Sequence, residues 1–231
     1  MSELTENLQR IQARVRAAAE RVDRDPSEVR VIAVTKTMPP ARIAQAHAAG
    51  IYDFGENRVQ EAMEKQTLLS SLSPQPTWHL AGHLQSNKVK TALNLFAIIH
   101  SVDSVRLAET IARLARKPVR VLLQVNVAGE SSKQGFSLDG AAHGNGSQED
   151  LHESFQRILR LPMIQVEGLM TIAPLVSDPE LVRPIFRRLR AERDALNLRH
   201  LSMGMTDDFE VAIEEGATMV RIGRAIFGER G

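Results

Sequence analysis

The sequence predicts an α/β fold: a single (β/α)8 TIM-type barrel with an extra N-terminal helix. Three observations predict it. Short apolar stretches recur at 29–35, 51–54, 77–81, 95–99, 118–125, 164–170, 199–202 and 218–222. Helical patterns fall between most of them, near 41–49, 57–69, 86–93, 104–115, 148–160, 178–196 and 207–215. The chain has 231 residues and no sharp break in composition, which suits one domain over 1–231. Strand–helix alternation calls for parallel strands joined by crossovers, and eight such strands can close a barrel. Periodicity alone does not separate that barrel from a doubly wound open sheet.

The elements follow in order. Leu4, Leu8, Ile11, Val15, Ala18 and Val22 alternate spacings of four and three, placing them on one face of a helix that can lie across a barrel wall. Val29 to Thr35 (VRVIAVT) is short and β-branched, as a buried strand should be. It ends at Lys36, and Pro39-Pro40 leads into a helix over Ala41 to Ala49. One segment breaks the later rhythm: Gly140 to Asp150 (GAAHGNGSQED) is rich in Gly and polar residues and reads as a flexible surface loop. His143 within it has no neighbouring acidic cluster that would make it a metal ligand.

Composition narrows the function classes. The net charge is +1 with scattered basic residues, which calls for neither nucleic acid nor membrane. The absence of cysteine excludes disulfides, thiolate metal sites and a cysteine nucleophile. The N-terminus is too charged for a secretory signal, and no stretch approaches the roughly 20 apolar residues of a membrane span. A cytoplasmic protein is the plain expectation.

Lys36 stands at the C-terminal end of the first strand, the face on which parallel barrels build active sites. Apolar surroundings favour its neutral amine, the form that attacks an aldehyde to give an imine. Position alone favours a lysine that snorkels to water. Two glycine turns shift the balance. Thr218 to Gly228 (TMVRIGRAIFG) is a strand followed by Gly223 and a helical turn, with Arg221 two residues before the glycine. His200 to Asp208 (HLSMGMTDD) is a strand ending in hydroxyl and glycine groups before a helix near Asp207. Paired on the last two strands, they would form a phosphate cup at the barrel mouth.

The remaining polar clusters have structural explanations. His79 and His83 lie in strand and turn, where a spacing of four does not assemble a metal site, so hydrogen-bonded structural histidines are expected. Ser101 and Asp103 are candidate caps of the helix at 104–115, and Asp207-Asp208 are helix-start acids.

At this point the motifs resemble one family, the pyridoxal phosphate homeostasis proteins, whose fold is related to the N-terminal barrel of alanine racemase. The matching segments are AVTK ending at Lys36, FGENRVQE (54–61), WHLAGHLQSNK (78–88), HSVD (100–103), QVNVAGESSKQGF (124–136), GLMTIAP (168–174), LSMGMTDD (201–208) and VRIGRAIFG (220–228). The resemblance implies that Lys36 carries pyridoxal 5'-phosphate as a Schiff base and that Asn57 lies beside the cofactor. It also implies that Ser202, Gly204, Gly223 and Arg224 form the phosphate site, with Arg221 facing the pyridine nitrogen. Two features depart from the family. The residue after the glycine of VRIG is usually small, commonly threonine, whereas here it is Arg224. A backbone amide contact survives that change, a hydroxyl contact does not, and the guanidinium offers a charge-assisted bond instead. The segment at 140–150 is also longer and more glycine-rich than expected.

An arginine opposite the pyridine nitrogen discourages protonation there, which weakens the ring as an electron sink. Alanine racemase adds a β domain and uses a tyrosine as second base; here the only tyrosine, Tyr52, is expected at the far end of the second strand from Lys36. The leading expectation is therefore a protein that buffers pyridoxal phosphate and delivers it, by a route the sequence does not specify, to apoenzymes dependent on it, with little or no turnover. The alternatives are a racemase of unknown specificity, a Schiff-base aldolase without cofactor, and a scaffold for protein partners. Because the racemase dimer depends on the added domain, a monomer is expected.

Overall fold

The computed structural model describes residues 2–130, 133–138 and 149–228. Most of the 140–150 segment therefore lies outside the described residues. The eight strands are β1 (Arg30–Val34), β2 (Asp53–Glu56), β3 (Thr77–Leu80), β4 (Ile98–Val102), β5 (Val119–Gln124), β6 (Ile164–Met170), β7 (His200–Ser202) and β8 (Met219–Ile222). All pair in parallel and in sequence order, and β8 returns to β1 through the register Arg30↔Met219 to Ala33↔Ile222. The sheet is thus a closed barrel, not an open one.

Side chains alternate across each strand. Ile32, Ile98, Leu122, Met170 and Met219, from five different strands, form a small buried cluster of their own, which is the apolar layer inside the barrel. The larger core lies outside it, between the strands and the helices α2 (Pro40–Ala48), α3 (Val59–Leu68), α4 (Val89–Leu95), α5 (Val105–Leu114), α6 (Leu151–Ile158), α7 (Arg183–Ala195) and α8 (Phe209–Glu214). The N-terminal helix α1 (Glu3–Glu20) buries Leu4, Leu8, Ile11, Val15 and Ala18 against α8 and the last turn, α9 (Arg224–Phe227). Ion pairs of Arg14 with Glu210 and of Arg21 with Glu214 edge that contact. Among the described residues, no helix is long and apolar enough to cross a membrane.

Two strands lie later in the chain than their apolar residues suggest: β2 is 53–56 rather than 51–54, and β4 is 98–102 rather than 95–99. In both, the added residues include polar side chains that are buried and partnered, Glu56 in β2 and His100 and Ser101 in β4. His100 and Ser101 are fully buried, and Ser101 donates to the Gly82 carbonyl at 2.6 Å. Hydrophobicity alone therefore ends these strands too early. The cap of α5 is also neither Ser101 nor Asp103 but Ser104, whose hydroxyl accepts from the Leu107 amide.

Candidate functional site

Lys36 follows β1 in a tight turn whose next residue, Thr37, has a positive φ of 66°. A β-branched residue there is costly unless its surroundings hold it. They do, through Lys65 on α3. Its ammonium donates to the Thr35 carbonyl (2.6 Å), to Glu56 (2.7 Å) and to Glu61 (2.6 Å). Glu56 also accepts from the Thr35 hydroxyl, and Glu61 from the Thr37 amide. Both chain neighbours of Lys36 are therefore fixed from the same buried ion cluster. Burial pushes the Glu56 carboxyl up, against its hydrogen bonds from Lys65 and Thr35. Burial also raises Glu61, but the hydrogen bonds from Lys65 and the Thr37 amide outweigh it and leave that carboxyl low.

Lys36 lines two adjoining cavities of about 340 and 370 Å³ at the C-terminal mouth of the barrel. Both share Val34, Lys36, Gly223 and Arg224. The larger adds Asn57, Arg221, Thr206 and Asp207, together with Ala81, Ile172 and Met205. Volumes of this size accommodate a small cofactor. Gly223 keeps the floor open, since a Cβ there would sit 3.3 Å from the Val34 carbonyl. Arg221 is 5% exposed. Its Nη1 donates to the carbonyl and hydroxyl of Ser202, both at 2.7 Å, and its Nη2 to the Thr171 carbonyl at 2.8 Å. Those bonds use three of a guanidinium's five donors. Among the described residues the other two have no acceptor, and the residue borders the cavity. Burial pulls Arg221 down to about 10, partly offset by the charge of Asp208, so it is still cationic at neutral pH.

Of the residues singled out in the sequence, the structure gathers Lys36, Asn57, Arg221, Gly223 and Arg224 around one mouth. Ser202 and Gly204 do not line it. The Ser202 hydroxyl is turned into the barrel, between Arg221 and His100 Nδ1 (2.9 Å). Gly204 has a φ of 90° and takes the chain past α8, where a Cβ would lie 2.6 Å from that of Ala212. Arg224 Nη2 alone donates to both Asp207 carboxylate oxygens, at 2.8 and 2.7 Å, with both side chains about half exposed. Asp208 does mark the start of α8, accepting from the Met205 amide. Thr206 was missed because it falls between Gly204 and the Asp207-Asp208 pair, and only the loop's curvature brings it to the cavity. The Lys65 cluster was missed too, although Glu61 and Lys65 carry an i,i+4 signal on a helix face. His79 and His83 each find a carboxylate, Asp53 at 2.8 Å and Asp103 at 2.9 Å. Tyr52 precedes β2 at the opposite end of the barrel, edge-on to His47.

A closed parallel barrel with a lysine at the end of β1, and Arg221, Arg224 and Asp207 around the same mouth, defines a class, and comparison with known proteins agrees on which. Residues 7–231 match the family described as "Alanine racemase, N-terminal domain". Alanine racemase of Corynebacterium glutamicum superposes with a TM-score of 0.65 at 19% identity over 94% of this chain and 59% of that one, a likeness of fold. Much closer in sequence are proteins named "Pyridoxal phosphate homeostasis protein": that of Aquifex aeolicus is 44% identical over 97% of both chains. That of Pseudomonas aeruginosa is 42% identical over 100% of this chain and 97% of its own. PipY of Synechococcus elongatus PCC7942, solved with PLP bound, superposes with a TM-score of 0.77 at 36% identity, covering 98% of this chain and 100% of that one. The chain belongs to the pyridoxal phosphate homeostasis protein family.

Proposed function

We propose that this chain holds pyridoxal 5'-phosphate reversibly on Lys36 and serves its storage and delivery to apoenzymes, with little or no turnover of its own. The observation that carries this reading is the convergence of Lys36, Asn57, Arg221, Gly223 and Arg224 on one cavity mouth. The donor set fits the group: an amine for its aldehyde, two unspent guanidinium donors at Arg221 for a ring acceptor, and Gly223 with Arg224 for an anion. When bound, the cofactor supplies an aldehyde to which an amine attaches covalently and reversibly.

The protein's own groups do the rest. The Lys65 cluster holds the turn that presents Lys36. Arg221, fixed by Ser202 and Thr171, offers the ring a cation rather than a proton, which weakens the ring as an electron sink. Tyr52, the only tyrosine, lies at the other end of the barrel, so it cannot serve as a second base opposite Lys36. Little catalysis and a single-chain state are parts of the same proposal. It is tested by equilibrium dialysis of pyridoxal phosphate, a racemase and transaminase screen on the loaded protein, and light scattering. Stoichiometric binding to a monomer without turnover is expected. Robust turnover of a common amino acid would replace the storage reading with a racemase.

A further inference from the structure

A polar chain crosses the barrel interior and has no part in the reading above beyond its last link. Arg221 Nη1 lies 2.7 Å from Ser202 Oγ, which lies 2.9 Å from His100 Nδ1. His100 Nε2 lies 3.0 Å from His79 Nδ1, and His79 Nε2 lies 2.8 Å from Asp53 Oδ1. Ser202, His100 and His79 are each 0% exposed. Asp53, the first residue of β2, reaches the face opposite the cavity, with Arg30 Nη1 at 3.6 Å. Four hydrogen bonds thus link β8, β7, β4, β3 and β2 from one end of the barrel to the other.

The two ends fix every proton between them. A guanidinium only donates and an ionised carboxylate only accepts. Ser202 Oγ therefore accepts from Arg221 and gives its own proton to His100 Nδ1. A neutral His100 then carries its proton on Nε2 and donates to His79 Nδ1. His79 in turn carries its proton on Nε2 and donates to Asp53. Read from the carboxylate end, the same tautomers result. Burial drives both imidazoles below their usual range, His100 well below, which keeps them neutral. The adjacent layer of Ile32, Ile98, Leu122, Met170 and Met219 shows that this barrel can fill its interior with hydrocarbon. A buried polar chain is tolerable when its members are satisfied, and here the Ser202 hydroxyl and all four ring nitrogens of His100 and His79 have partners, while the two remaining Arg221 donors face the cavity.

We propose that Asp53, His79, His100 and Ser202 are positioning residues for the cofactor ring: a one-way relay that locks the Arg221 guanidinium in one orientation and couples it to a carboxylate at the far end of the barrel. The proposal rests on pyridoxal phosphate being held at Lys36. It assigns the buried Ser202 hydroxyl an indirect role, through Arg221, in place of a contact with phosphate.

The test combines imidazole 15N–1H spectra at pH 7.5 with absorbance titrations of pyridoxal phosphate, on wild type, Asp53→Ala, Asp53→Asn, Ser202→Ala and Lys36→Ala. The wild type should show His79 and His100 neutral with the proton on Nε2. Asp53→Ala should release the His79 tautomer, move the visible band of the bound cofactor, and raise its Kd about tenfold, the scale of one lost buried hydrogen bond. Asp53→Asn keeps an acceptor for His79 and should restore most of the affinity, which a purely structural loss would not. Ser202→Ala removes a single oxygen, keeps the fold testable by circular dichroism, and should change band and Kd in the same direction. If rings, band and Kd are unchanged in Asp53→Ala and Ser202→Ala while Lys36→Ala abolishes the band, the relay is wrong and the cofactor reading stands. If wild type and Lys36→Ala are alike in showing no visible band, the cofactor reading fails and the relay's role fails with it. Rings that are charged or protonated on Nδ1 overturn the relay by themselves.

Discussion

Replacing Lys65 by methionine removes the centre of the cluster that holds the Lys36 turn, and the cost can be worked from the structure. Lys65 is 6% exposed at its side chain and Glu56 0%, and the ammonium makes three short bonds. Breaking one partner out of a buried pair leaves an uncompensated charge, at roughly 3–5 kcal/mol. With an unfolding entropy of about 2.1 cal/mol/K per residue, this chain has about 0.5 kcal/mol/K, so Tm should fall by about 6–10 °C. The loss should depend on pH. Burial already raises the Glu56 carboxyl, and removing the Lys65 charge raises it further. The folded state then binds a proton that the unfolded state releases, so its stability falls as pH rises through the raised folded value. The difference between wild type and Lys65→Met should accordingly be largest near pH 8 and shrink towards pH 5. Adding Glu56→Gln to Lys65→Met should recover part of the loss at pH 8. Urea and thermal unfolding at several pH values measure all of this. A loss below about 1 kcal/mol, or one independent of pH and unchanged by Glu56→Gln, would refute the reasoning.

Gly204→Ala should cost about 2–4 kcal/mol in urea unfolding, because the positive φ and the 2.6 Å approach to Ala212 Cβ add strain to overpacking; a loss under about 0.5 kcal/mol would contradict the close approach. His79 and His100 are depressed in the folded state, so below their unfolded value of about 6.5 the unfolded chain takes up protons that the folded chain refuses. Stability should therefore fall between pH 6.5 and 5.5 with a slope of up to about 1.4 kcal/mol per unit for each ring; a flat urea midpoint over that window would show that the rings are not buried as neutral bases. Arg224→Ala removes a half-exposed pair with Asp207, so stability should change by about 1 kcal/mol or less, while the Kd for pyridoxal phosphate should rise severalfold in dialysis. An unchanged Kd would leave the anion to Gly223 and the neighbouring amides.

The barrel was legible because its strands carry an apolar signal and its helices a face; α1 was legible through Ala18, whereas Val22, placed on the same face by its spacing, lies beyond the helix end at Glu20 and is 38% exposed. Legibility failed where a strand is polar and still buried. Glu56 displaced β2, and His100 and Ser101 displaced β4, because their partners (Lys65 and Thr35, His79 and Ser202, and the Gly82 carbonyl) lie elsewhere in the fold, where a linear pattern does not reveal them. The site divides in the same way. Lys36 and Gly223 are marked by their places at strand ends, so their meeting follows from the closed β8–β1 pairing. Ser202 looked like a mouth residue for the same reason, but it is the last residue of a three-residue strand and its side chain falls on the inward side. The interior chain could not be seen at all, since His79 and His100 are 21 residues apart and meet only across adjacent strands.

Everything proposed for this chain depends on one covalent attachment. The most direct measurement is an absorbance titration with pyridoxal phosphate on wild type and Lys36→Ala, followed by borohydride reduction and mass analysis of the peptides. Wild type should show a visible band that saturates at one equivalent and a pyridoxyl adduct on the Lys36 peptide, and Lys36→Ala neither. An equal band in both proteins, or an adduct on another lysine, would contradict it.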